Sequence, residues 1–442
     1  MRLIARVSLG LIGLLALMAA VRTGPGAGAR SPTDAIASSI NIALHSGLIS
    51  PARAQAYTAI ETAASRTLAR LRGVRRRELG AELRIVGRLA ARGALTPGRM
   101  PLVFLTLDRN VLWWSEHGPP APGSPGEPEA RGRHCKRPRA ASARLAFPGS
   151  GILFEYYPGR GLQLQVNGTF GAANALLQRG TPDAVAAAAR TLDQMRPLAA
   201  TRDGALTWEY EFPYGRAQPP WTSALAQGTA IEAYTRAAAR LQRPDYLDVA
   251  RQLVRVFERS PPAGLRLRLG GANWYLLYSF PPHALVLNAQ LDALIALYDL
   301  ARATADPAIG ALEREGLRAA RDRIRRFDTG RWSRYAQGGG EASLNYHVLN
   351  LDLARALCQR TGEPAICSAW RRFARELDRR CPLAPGRHRP GRGPTPGAGT
   401  TGPTGPVGTT GTSGPGGPTG PGQPGPTPPA PPAPVSPLPP IP

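Results

Sequence analysis

The sequence predicts a mainly α fold: an α/α toroid, incomplete or (α/α)6-like, with a small N-terminal β region and a disordered C-terminal tail. Three observations carry this expectation. From about residue 170 to 380, one segment after another repeats apolar residues at three- and four-residue spacing, and several begin at proline or at an Asp or Thr cap. Residues 100–168 interrupt that period with short β-branched and aromatic runs. After residue 383 the chain turns to Pro, Gly and Thr, with seven glycines at every third position from Gly402 to Gly420. That is the collagen period, but the tract is short, and an extended disordered linker is the expected state.

Taken in order, residues 1–29 read as an export signal, with Arg2 and Arg6 ahead of an apolar run and Ala27-Gly28-Ala29 as the small-residue cleavage site. The apolar run is shorter than the ~18 residues of a spanning helix; an uncleaved N-terminal anchor is the alternative. Residues 30–99 form a helical N-terminal region, capped by Ser31 or Thr33, whose arginine-dense second half around Arg75-Arg76-Arg77 reads as a solvated helix face. Residues 100–168 form the β region, with strands expected at 101–107, 111–114, 151–157 and 162–166 around a mobile Pro/Gly/Arg loop at 119–144. Residues 169–383 carry helices at 170–177, 182–195, 221–241, 244–259, 283–303, 307–326, 346–360 and 364–379. Such alternation suggests helix pairs whose inner members and connecting loops line one open face. Residues 384–442 are the tail.

Composition narrows the function. The 442 residues carry a net charge of +25, from 55 Lys+Arg against 30 Asp+Glu, and Lys136 is the only lysine. Arginine is the better residue for bidentate carboxylate or sulfate contacts, and a basic surface draws in polyanions. No nucleic-acid motif is present, which argues against DNA or RNA; an anionic glycan fits the charge better only once the sequence blocks below are taken into account. No phosphate loop, dinucleotide fingerprint, GxSxG elbow or HExxH helix occurs, which argues against nucleotide cofactors and common hydrolase mechanisms. No cofactor and no metal are expected, since the cysteines and histidines lack zinc-ligand spacing. The even set of Cys135, Cys358, Cys367 and Cys381 in an exported chain predicts disulfides, with Cys358 and Cys367 paired across a short interhelical turn and Cys135 pairing with Cys381 only if the fold brings them together. A homodimer is compatible with the sequence.

The stretch Asn273 to Asn288 sets Trp274, Tyr275 and Tyr278 beside the stiff Pro281-Pro282 turn, directly ahead of a strongly apolar helix. Helices are usually entered through polar caps. Aromatic hydroxyls on a loop between packed helices mark the place where a helical barrel would present a catalytic or sugar-binding face.

Three blocks together resemble a family. Pro220-Trp221-Thr222-Ser223-Ala224-Leu225-Ala226-Gln227-Gly228 is similar to a signature of D-glucuronyl C5-epimerases. Trp274-Tyr275 with Tyr278, followed by Val286-Leu287-Asn288 and Leu294 to Leu300, resembles a second block, and Asp328-Thr329-Gly330 with Tyr335 and Tyr346-His347 resembles the third. They occur in the family's order over about residues 205–360. The resemblance implies removal of the C5 proton of a glucuronate unit within a polymer and its return to the opposite face, giving iduronate. It implies Tyr278, Tyr335 and Tyr346 as catalytic residues, with no cofactor needed for the proton transfers. Tyrosine suits that work where a cationic environment lowers its pKa. Trp221 and Trp274 are candidates for stacking on sugar faces, Arg331 and Arg334 for neutralising the uronate carboxylate, and Gln227, Asn288 and His347 for polar contacts. Two positions depart from the family: Leu277 stands where a glutamate precedes the tyrosine, and Asn345 replaces an aspartate. Glu341 is the candidate to supply the missing carboxylate. A uronate-directed polysaccharide lyase, which shares the first step, and a non-catalytic anionic-glycan-binding protein are the competing readings.

Overall fold

The computed structural model describes residues 31–121 and 143–382. The segment expected to be an export signal, the C-terminal tail and Cys135 lie outside the described residues. The fold is mainly α, with twelve α-helices and three small antiparallel sheets among the described residues.

Four N-terminal helices come first. Helix α1 (Pro32–His45) starts in a capping box: the Ser31 hydroxyl accepts from the Asp34 N–H at 3.2 Å and the Asp34 carboxylate accepts from the Ser31 N–H at 3.1 Å. Helices α2 (Pro51–Arg70) and α3 (Gly73–Ala91) follow, with Arg76 and Arg77 of α3 exposed as the sequence suggested. Helix α4 (Met100–Glu116) corrects one expectation: residues 101–107 and 111–114 are not strands but a single helix. Its β-branched and aromatic content mimics a strand. The spacing of buried Val103, Leu107, Asn110 and Trp114, however, is the helical three-to-four step.

The β region is a sheet of strands β1 (Arg144–Ala146), β2 (Leu153–Tyr157) and β3 (Gly161–Leu164) in the order β1-β2-β3. Two buried polar side chains fasten it to the helices. Asn110 of α4 donates to the Leu162 carbonyl and accepts from the Leu162 N–H, each at 2.8 Å. Glu78 of α3 accepts from the N–H groups of Gly159 and Gly161 at 2.8 and 3.1 Å. Gly161 sits at φ +72°, and a Cβ there would lie 2.4 Å from the Asn110 amide oxygen, so this turn requires glycine.

Beyond the sheet, four helical hairpins form the arc of an incomplete α/α toroid: α5 (Val166–Arg179) with α6 (Pro182–Met195), α7 (Ala224–Leu241) with α8 (Pro244–Val254), α9 (Leu287–Thr304) with α10 (Pro307–Arg323), and α11 (Leu344–Thr361) with α12 (Pro364–Arg380). Each hairpin turns in the same way. The first helix ends at a residue with left-handed backbone, Gly180, Gln242, Ala305 or Gly362, and two residues later a proline opens the second. Cys358 and Cys367 bridge the last hairpin with an S–S bond of 1.98 Å, as the sequence predicted.

The inner helices α5, α7, α9 and α11 pack in succession, all pointing the same way. Near their starts Asn167 of α5 accepts from the Thr229 hydroxyl of α7 at 2.9 Å and at their ends Gly180 lies against Arg240, while Arg360 and Asp299, both in the C-terminal halves of α11 and α9, share two 2.7 Å bonds. Their N-terminal ends therefore gather at one face. The long connections 196–223, 255–286 and 324–343 return to that same face. These carry the small two-stranded sheets β4 (Ala200–Arg202)–β5 (Ala205–Thr207) and β6 (Arg266–Leu269)–β7 (Ala272–Tyr275). A buried aromatic wedge of Phe170, Trp208, Tyr234 and Tyr246, with contacting ring centroids 4.6–5.9 Å apart, fills the space between the first two hairpins.

Candidate functional site

The three connections are tied to one another at the face where the inner helices begin. Ser279 donates its N–H to the Thr222 carbonyl at 3.0 Å, and its hydroxyl accepts from the Thr222 N–H at 3.1 Å. The Gln337 N–H donates to the Leu285 carbonyl at 2.9 Å. This lattice brings Tyr278 from the second connection and Tyr335 from the third toward Tyr346, which sits in the first turn of α11. The Tyr335 and Tyr346 rings meet edge to face at 4.8 Å, while Tyr278 stacks on Phe280 at 4.9 Å and meets Tyr214 at 6.0 Å. Tyr278 feels the other hydroxyls of the group, Tyr335, Tyr214, Tyr210 and Tyr346. Tyr214 and Tyr278 share a side-chain hydrogen bond.

The electrostatics differ from the expectation of a cation-lowered tyrosine. Burial, reinforced by the neighbouring phenols, pushes the Tyr278 hydroxyl well above the ordinary tyrosine range, and burial raises Tyr335, Tyr346 and Tyr210 as well. Tyr214 is pushed up to about 12, again mainly by burial. At neutral pH these are protonated phenols, able to donate a hydrogen bond or a proton. The Tyr335 hydroxyl and both side-chain atoms of Asn288, at the start of α9, are buried without a hydrogen-bond partner. Polar atoms left so are costly unless something polar meets them, which makes this the part of the face best prepared for a polar ligand.

Several other predicted residues are committed elsewhere. Trp221 is buried, stacks on Tyr210 at 4.3 Å and donates its indole N–H to the Phe212 carbonyl at 2.8 Å, so it floors the tyrosine group from beneath. Trp274 is buried and stacked on Phe327 at 5.6 Å. Gln227 donates to the Trp208 carbonyl at 2.8 Å and to the Thr222 hydroxyl at 2.9 Å, binding the first connection to α7. His347 is fully buried, with its ring stacked on Trp332 at 3.6 Å. Its Nδ1 accepts from the Ser333 N–H at 3.1 Å, so Nε2–H is the donor to the Phe373 carbonyl at 3.0 Å. Both nitrogens are used in fastening α11 to the third connection and α12, and none is left for a sugar. Arg331 is exposed, and Arg334 donates to the Gly339 carbonyl of its own loop. Glu341 accepts from Arg380 at 2.8 Å and Thr329 at 3.1 Å, on the His347 side of the loop. Leu277 is buried in the apolar core.

The residues that sequence reasoning missed come from the β region. Gln165, the residue before α5, donates to Tyr157 at 3.2 Å and to the Glu155 carboxylate at 2.7 Å, and its amide oxygen receives the Tyr210 hydroxyl at 3.5 Å. The Glu155 charge acts on Tyr157, Tyr210, Tyr214 and Tyr346 alike. Tyr210 and Tyr214 lay in plain view just upstream of the Pro220-Trp221 block; Glu155 gave no signal because its partners are distant in sequence.

Residues 202–375 match the family model described as D-glucuronyl C5-epimerase C-terminus. The D-glucuronyl C5-epimerase of Caenorhabditis elegans is 39% identical over 85 residues, which are 19% of this chain and 14% of that protein. The chain thus spans about one seventh of the length of that curated relative. Among solved structures, cellobiose 2-epimerase from Spirochaeta thermophila DSM 6192 aligns at TM-score 0.38 and 14% identity, over 62% of this chain and 68% of that one. The cellobiose 2-epimerase from Bacillus thermoamylovorans B4167 aligns at TM-score 0.36 and 14% identity, over 48% and 59%. All three tyrosines carried over from the epimerase blocks fall within the matched segment, whereas Glu155 and Gln165 lie ahead of it.

Proposed function

We propose that the chain is a C5-epimerase of uronic acid residues, of the D-glucuronate to L-iduronate type, acting within an extracellular or envelope polysaccharide. The observation that carries the reading is the convergence of Tyr278, Tyr335 and Tyr346, from three separate segments of a family-matched domain, on one buried polar face. The C5–H bond breaks when a base takes the proton, and the electron pair spreads into the C6 carboxylate. A proton then returns to C5 from the opposite face, so composition is unchanged and only configuration inverts. Buried, neutral phenols suit two of these tasks: donating hydrogen bonds to the carboxylate oxygens as charge accumulates there, and delivering the returning proton. The four inner-helix N-termini at this face add a positive dipole that favours an anionic sugar. Export of the chain is part of the proposal, supported by the Cys358–Cys367 disulfide, a bond that persists in oxidising compartments.

The test is incubation with a glucuronate polymer in heavy water, followed by NMR of C5. Deuterium at C5 with both uronate configurations in the product is the expected result. A new double bond absorbing in the ultraviolet would identify a lyase instead, and binding without exchange across several uronate polymers would leave a glycan-binding protein.

A further inference from the structure

The tyrosine group has a charged neighbour that belongs to neither the matched segment nor the predicted site. Arg144 of β1 lies directly across from Glu155 of β2 in the antiparallel register, and its Nε donates to the Glu155 carboxylate at 2.9 Å. Gln165 donates to the same oxygen at 2.7 Å and receives Tyr210, which stacks on Trp221, the floor under Tyr278. The guanidinium lies over the first turn of α5, its Nη1 3.4 Å from where a Cβ on Gly168 would stand. The Glu155 side chain is wholly buried, while that of Arg144 keeps 14% exposure. Of the two, only the arginine keeps contact with solvent.

The charge of Arg144 acts on the Tyr157, Tyr210 and Tyr346 hydroxyls, opposing the effect of burial. Arg331 and Arg334, the arginines expected for this role, do not figure among the charges acting on these tyrosines.

We propose that Arg144, positioned by Glu155 and Gln165, is the cation that receives the substrate's uronate carboxylate beside the tyrosine group. The inference rests on the uronate reading above and adds a residue to it. A guanidinium on that carboxylate would withdraw charge from C6 and acidify the C5 proton. It also gives the β region a functional reason to be fastened so firmly to the toroid through Asn110 and Glu78.

The test compares binding, by calorimetry on the full chain, of a glucuronate–N-acetylglucosamine polymer and of the same polymer with its carboxyl groups reduced to alcohols. The wild type is expected to prefer the carboxylate form by about tenfold or more, and Arg144→Gln to bring that ratio close to one. Because Arg144→Gln takes away the guanidinium that balances a buried carboxylate charge, the double variant Arg144→Gln/Glu155→Gln is measured beside it, and it removes both charges together. Arg144→Lys keeps the charge without the planar fork and should recover part of the preference. Glu155→Gln alone, with the arginine present but no longer held by a carboxylate, should lower the ratio. A wild-type ratio near one, or a full ratio surviving in the double variant, overturns the proposal. If the wild type shows the ratio and its loss but no C5 exchange, the carboxylate site stands and the epimerase reading fails. If exchange occurs while the ratio ignores Arg144, only the arginine assignment falls.

Discussion

Replacing His347 by glutamine should remove an acid-sensitive component of stability, and the size of that component follows from the environment of the ring. Wholly buried between Trp332 and Phe373, His347 has its pKa lowered from 6.5 to about 4, first by burial and also by the nearby Arg380 charge, against the opposing pull of the Phe373 carbonyl, Glu341 and Asp328. A folded-state pKa below the unfolded value means that the unfolded chain binds the proton more readily in this range. Stability from His347 is therefore complete above the unfolded pKa and is lost as pH falls through 6.5 toward 4. Linkage puts the loss at ~2 kcal/mol by pH 5 and ~3 kcal/mol by pH 4. Glutamine can keep a donor and an acceptor but does not titrate, and losing the stacked ring should cost ~1–2 kcal/mol at pH 7. The assay is urea denaturation of both proteins from pH 7.5 to 4.5. The wild-type curve should fall toward the variant's as pH drops, because carboxylates common to both cancel in the difference. Parallel pH dependences would refute the argument, since His347 would then titrate as an ordinary imidazole.

Glu82, fully buried on α3 and raised to about 8 by burial against the Gln163 hydrogen bond, carries the opposite sign: its cost to stability grows as pH rises from 4.5 to about 8. Glu82→Gln should therefore stabilise the protein by ~2 kcal/mol or more at pH 8 and by almost nothing at pH 4.5, as read from denaturation midpoints. Tyr278→Phe and Tyr346→Phe should each lower C5 deuterium exchange by at least ~100-fold while the melting temperature stays within a few degrees; exchange retained in both would remove the tyrosines from the chemistry. Asn288→Ala should weaken binding of a uronate polymer without lowering stability, because its two buried polar atoms have no partner to lose in the free protein.

Much of the toroid was legible in the chain. The αL-X-Pro turns end the inner helices at Gly180 and Gly362 with residues suited to that backbone, and prolines 182, 244, 307 and 364 mark every outer helix start. Helix starts after aromatic connections were harder to read. Helix α7 begins at Ala224 rather than at Trp221, and α9 at Leu287 rather than near His283, because those connections are held by distant backbone groups rather than by local caps. The α4 error has a related cause: Val, Phe, Leu and Trp satisfy a strand's composition, and only packing against α2 and α3 makes the helical spacing decisive.

In the site, the three tyrosines were legible from blocks that resemble the epimerase family. Their blocks are contiguous in sequence, and an aromatic hydroxyl on a connecting loop is visible without coordinates. The ionisation of those tyrosines, the spending of both His347 nitrogens and the arrival of Arg144 and Glu155 were decided only when the chain closed. Each depends on groups tens to hundreds of residues apart, and on how much water the assembled face excludes. Sequence order carries identity and local spacing, but desolvation and charge proximity exist only in three dimensions.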